Sequence, residues 1–129
     1  METAQITKAY TTEKKMYALL NETYDLTKQL AEAVDRGDSV TIRMTMAMRR
    51  EPLEALREAR RSLEQQRDAL SEEDARSLAE LLNGAAAQSE EEIKLADQVA
   101  KNTRLLNRVI ELDKVVNLKF SREKSHYHT

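Results

Sequence analysis

The sequence predicts an all-α protein: an elongated antiparallel bundle or coiled coil of three long helices. Three observations carry this. Ala, Glu, Leu, Lys and Arg make up more than half of the 129 residues, against two glycines and one proline, which is the composition of long helices. Sheets need turn residues every ten or so positions, and these are missing. The apolar supply is thin, with no Trp and one Phe, and suits helices that each bury one stripe. With 21 basic residues against 23 acidic ones, the chain lacks the large net charge that goes with disorder.

The first helix is predicted over about 6–35. Tyr10, Tyr17 and Tyr24 recur every seven residues with Leu20, Ala31 and Val34 on the same side, and Leu19, Leu26 and Leu30 widen the stripe. It stops at Arg36-Gly37-Asp38-Ser39, where Gly37 supplies a left-handed cap and Asp38 or Ser39 can accept the first free amide of the next helix.

The second helix is predicted over 39–70. Val40, Ile42, Met44, Met46 and Met48 alternate as a strand would, but no second strand exists to pair with them, and a lone strand is not viable. Read as helix, Val40, Met44 and Met48 share a face continuing into Leu56, Leu63 and Leu70, while Ile42 and Met46 point away. The methionines are expected as filler at the loop end of the core, an adaptable binding surface being the alternative. Pro52 is expected either to kink this helix or to open a new segment.

The third helix is predicted over 72–120. Ser71 is its expected N-cap, with Asp74 returning the bond. Asn83-Gly84 either ends a short helix or bends a continuous one. Residues 1–120 form one domain in this reading, and 121–129 a flexible tail.

No chemistry stands out. Cysteine is absent, no glycine-rich phosphate loop occurs, and no Glu-x-x-His pair could build a bundle metal site. His126 and His128 lie in the polar tail, where two imidazoles lack further ligands. The expectation is a non-enzyme without catalytic, cofactor or metal residues. No apolar run suits a signal peptide or a membrane span, so a cytoplasmic location without membrane insertion is expected. Arginines crowd the second helix, but Glu51, Glu54, Glu58 and Glu64 interleave with them; this reads as a solvated face, with no nucleic-acid partner. Arg36-Gly37-Asp38 spells an adhesion tripeptide, yet a capped turn suffices to explain it.

The C-terminal helix carries more apolar residues than one stripe needs. Leu106 and Ile110, with Val99 and Thr103 upstream, define one line; Leu105, Val109, Leu112 and Val116 define another, turned by about 100°. One line can be buried in a thin bundle, and the other needs a cover: a partner, a second copy, or a fourth layer. Leu105, Leu106, Val109, Ile110, Leu112 and Val116 are therefore the candidate partner-binding residues. At Leu112 and Val116 the two roles separate. Carboxylates there cost only binding if the line is a partner surface, and cost the fold if it is core.

The order and spacing of several segments resemble the FlgN-like flagellar export chaperones. These are Tyr17-Ala-Leu-Leu20, the Arg36-Gly37-Asp38 turn, Arg49-Arg50-Glu51-Pro52-Leu53, and Lys101-Asn102-Thr103-Arg104-Leu105-Leu106 followed by an apolar stretch to Phe120. The resemblance spans roughly residues 10 to 120; the methionine segment and histidine tail depart from it. It implies a cytoplasmic, non-catalytic chaperone of flagellar type III export. Such a chaperone covers the C-terminal helical segments of hook-associated proteins and prevents their premature assembly. The competing expectation is a structural coiled-coil subunit that closes a homo-oligomer through the same helix.

Overall fold

The computed structural model describes residues 1–127, with side chains as far as Arg122. Among the described residues there are four helices and no strand: α1 (Thr3–Arg36), α2 (Ser39–Asp68), α3 (Glu72–Leu82) and α4 (Glu90–Tyr127). His126 lies beyond the described side chains and His128 outside the described residues altogether.

Local chemistry sets the boundaries. Gly37 adopts φ +66°, and the amides of Gly37 and Asp38 turn back onto the Val34 and Ala33 carbonyls. Asp38 then caps α2, its carboxylate accepting from the Thr41 amide (3.1 Å) and hydroxyl (2.6 Å). Those bonds, the Thr41 hydroxyl foremost, hold the Asp38 carboxyl below its usual range, with Arg36 assisting. Segment 40–48 is helical. α2 also runs unbroken through Pro52, so no new segment starts there. The ring is buried, and its contacts offset the helix bond that a proline cannot make.

The predicted third helix is two. Gly84 takes φ +94°, and the amides of Gly84 and Ala85 close onto the Leu81 and Glu80 carbonyls, at 3.2 and 2.8 Å. A restart follows at Ser89, whose hydroxyl accepts from the Glu92 amide while the Glu92 carboxylate accepts from the Ser89 amide. This reciprocal box satisfies two otherwise free donors. Ser71 caps α3 as expected (3.2 Å to the Asp74 amide). Asp74 does not return the bond; its carboxylate pairs with the Met1 amino group at 3.1 Å.

The long helices run up, down and up. α1 and α4 are parallel: Ile6 and Leu95 share one core cluster, Glu13 meets Asn102, and Asp35 meets Lys119 at 2.9 Å. α2 returns antiparallel, with Gln66 donating to Thr12 at 2.8 Å. α1 is the central helix. It packs along both α2 and α4, whose backbones stand well apart from each other.

α2 turns Thr45, Pro52 and Ala59, at seven-residue intervals, toward α1. α3 fills part of the gap between α2 and α4. It folds back beside α2, where Ala79, Leu82 and Asn83 face Arg60, Leu63 and Arg67. Its Leu78 and Leu81 are buried with Ile6, Ala9 and Leu95. The molecule is thus four helices thick at the start of α1 and three helices thick beyond Asn83.

Candidate partner-binding surface

The structure divides the six candidate residues. Leu105, Val109 and Val116 are buried at 7%, 8% and 1% exposure, and Leu112 is half-buried. The second line of α4 is therefore its core line in the free chain. Val116 packs with Leu30, Ala31 and Val34 of α1, and Leu112, Phe120 and Ile42 lean on the same cluster. Leu106 and Ile110 remain 44% and 42% exposed. They precede Asp113 on its own side of α4, and Asp113 reaches across to Arg49 of α2 at 3.1 Å. Leu106 and Ile110 accordingly stand on the flank of α4 that looks toward α2.

The methionines are not core filler. Val40, Met44, Met46 and Met48 are each about half exposed or more, between 49% and 59%. The face that Val40, Met44 and Met48 share lies outward, because the buried seam of α2 is the Thr45–Pro52–Ala59 line instead. That line was legible as a seven-residue repeat, but small and polar residues give it no hydrophobic signal. Ile42 alone of this segment's large apolar side chains turns inward, onto the Val116 cluster. Tyr17 is also exposed, at 36%, so the tyrosine line marks the rim of the α1 stripe.

Between the two apolar clusters lies a polar layer. Glu13 of α1 is 5% exposed, and Gln98 and Asn102 of α4 are 7% and 6% exposed. The Asn102 amide nitrogen donates both to the Glu13 backbone carbonyl (2.8 Å) and to its carboxylate (2.5 Å), while Gln98 donates to the Asn102 amide oxygen at 3.0 Å. Burial pushes the Glu13 carboxyl above its ordinary range, and the Asn102 bond opposes this only in part. A polar contact of this kind fixes the register of α4 on α1, since any slip strands a buried carboxylate. Gln98 and Asn102 interrupt the apolar repeat Leu95, Leu105, Val109 in the sequence, a readable signal of such a layer.

Arg49 stands where α2 and α4 are bridged. Its side chain is 13% exposed, and its Nε is buried without a hydrogen-bond partner among the described residues. Among those residues no group of three or more His, Asp or Glu is placed to hold a metal ion, and no helix is long and apolar enough to cross a membrane. Searches against family models, curated proteins and solved structures returned no match to this chain.

Proposed function

We propose that the chain is a non-catalytic helix-binding chaperone of the FlgN-like type, acting in the cytoplasm on C-terminal helical segments of flagellar hook-associated proteins. The observation that supports this reading most is the division of α4. One apolar line holds the helix to α1, and a second, Leu106 and Ile110, is left for something outside the chain. An amphipathic partner helix is the usual occupant of such a flank. The order of segments that resembles the chaperone family points the same way. Covering a cargo segment that otherwise polymerises requires no bond chemistry, which agrees with the lack of a catalytic grouping in the sequence.

The test is calorimetric titration of the chain with C-terminal helical segments of hook-associated proteins. Binding is expected, and it should weaken at least about tenfold, or by some 1.4 kcal/mol, on Leu106→Asp with Ile110→Asp. The competing reading, a coiled-coil subunit that self-associates through α4, is tested by light scattering. A stable homo-oligomer that ignores every such segment would overturn the chaperone reading.

A further inference from the structure

The structure itself contains one amphipathic helix seated between α2 and α4, namely α3. Its seat ends at Asn83, beside Arg60, but the gap between α2 and α4 continues. On α2 the line Arg49, Leu53, Leu56 and Arg60 runs along it, with both leucines half-buried. On α4 the facing residues are Leu106 and Ile110, both exposed. The Arg49–Asp113 ion pair closes the far end. From Arg49 to Arg60 the wall is three turns of helix, about 16 Å at 1.5 Å per residue. That is the length of α3 itself, which has 11 residues. The uncovered stretch is thus as long as the seat of α3 and in line with it.

Charge narrows the occupant. Along this stretch the α2 rim carries Arg50, Arg57 and Arg60, with Glu54 between the first two, whereas the α4 wall offers Leu106, Ile110 and the uncharged Thr103. Among the described residues Arg50 and Arg60 have no carboxylate within ion-pair range, and Arg57 pairs only with the adjacent Glu54 at 2.9 Å. A helix lying here meets aliphatic side chains below and guanidinium groups along one edge.

We propose that the α2–α4 groove between the Arg49–Asp113 bridge and the end of α3 binds a three-turn amphipathic helix of a partner protein. That helix presents aliphatic side chains at three- and four-residue spacing to Leu106 and Ile110 and an acidic edge to the arginines of α2. The inference rests on the reading that α4 takes a partner helix, and adds where the partner lies and what chemistry its edge has. α3 supplies the pattern for the aliphatic side, inserting Leu78 and Leu81 three residues apart. The arginines supply the pattern for the edge. The neighbouring apolar patch, Val40, Met44 and Met48 on the outer face of α2, has no seated helix to continue, and where Met48 meets α1 the cleft is edged by the acidic Glu22, Asp25 and Glu51.

The experiment uses the full chain, isotopically labelled, and a side-chain-stapled peptide copying residues 71–83 (acidic, leucine-bearing) as probe. Amide shift changes are expected along residues 49–60 and 103–113. Affinity should fall at least about tenfold on Leu106→Glu with Ile110→Glu, and should be unchanged on Met44→Glu with Met48→Glu. A peptide carrying Glu72→Lys, Glu73→Lys and Glu80→Lys should bind the native chain poorly and recover on the Arg57→Glu, Arg60→Glu protein. The double glutamate variant should keep its helix content, since both side chains already touch solvent. Shifts confined to the α3 seat, shifts on the methionine face, or no binding at millimolar peptide would each overturn the proposal. The two readings fail separately. Peptide binding in the groove without binding of any hook-associated segment removes the flagellar assignment and leaves the seat. A hook-associated segment that binds, and is blocked by changes on the methionine face but not at Leu106 and Ile110, removes the seat and leaves the assignment.

Discussion

The contact between Glu13 and Asn102 gives the sharpest test of how α4 is held. Asn102→Leu keeps the side-chain volume roughly constant and removes the only side-chain donor to the Glu13 carboxylate among the described residues. This leaves a 5% exposed acid without its side-chain donor. Stranding a buried polar group costs about 1–3 kcal/mol, and more for a charged one. A loss of about 3 kcal/mol is therefore expected, or roughly 10 °C in Tm for a domain of this size. Glu13→Leu alone should cost less, since Asn102 keeps its 2.8 Å bond to the backbone carbonyl of residue 13. The double variant should regain the part of the loss that comes from the stranded carboxylate, while the buried Gln98 amide stays without its Asn102 acceptor in both.

The same contact has a pH signature. Burial raises the folded-state pKa of Glu13, so the folded chain holds this proton more tightly than the unfolded chain does. The associated stabilisation is complete below the unfolded value and is lost as pH rises through the folded one. The Asn102→Leu defect should accordingly shrink on acidification, as Glu13 takes up its proton and no charge remains to strand. Thermal and urea unfolding of the four proteins of this cycle, from neutral pH down to about pH 4, measure all of it. A single Asn102→Leu within about 0.5 kcal/mol of the native chain at pH 7, the limit for an ordinary surface change, would refute the reasoning. So would a double variant no more stable than that single one.

Leu112→Asp combined with Val116→Asp should unfold the chain or lower its Tm sharply, as Val116 is 1% exposed and a buried unpaired charge costs several kcal/mol, roughly 3–5; circular dichroism melting reads this directly. Leu106→Asp with Ile110→Asp, on the exposed line, should leave the melt within a few degrees of native and act on binding alone. Gly37→Ala places a Cβ on a left-handed residue at φ +66° and should cost about 1–2 kcal/mol, seen as a lower urea midpoint at constant slope. Asp38, whose carboxyl is held below its usual range by Thr41, contributes stability present above its unfolded pKa and lost as pH falls through the folded one. Asp38→Asn should flatten that acid limb of the unfolding curve.

Much of this architecture is legible in the sequence alone. Gly37 and Asp38 dictate their turn through backbone sterics and one short side chain, both local effects that need no tertiary context. Ser71 caps α3 for the same reason. The absence of a partner strand was enough to place 40–48 in a helix, although its alternation pointed elsewhere. The excess of apolar residues on the C-terminal helix was also plain, since counting a stripe requires only the helical period.

Which line of that helix faces inward was not legible. Leu105, Val109, Leu112 and Val116 are chemically equivalent to Leu106 and Ile110, and periodicity gives relative angles but no absolute direction. Direction was decided by pairs far apart in sequence: Asn102 on Glu13, Lys119 on Asp35 and Asp113 on Arg49. The methionine face went outward for a related reason. Three hydrophobic residues on one side of α2 outweigh Thr45, Pro52 and Ala59 on any hydropathy count, yet it is the small residues that α2 buries. Which face is buried depends on how the helices pack against one another, and periodicity within a single helix carries no such direction.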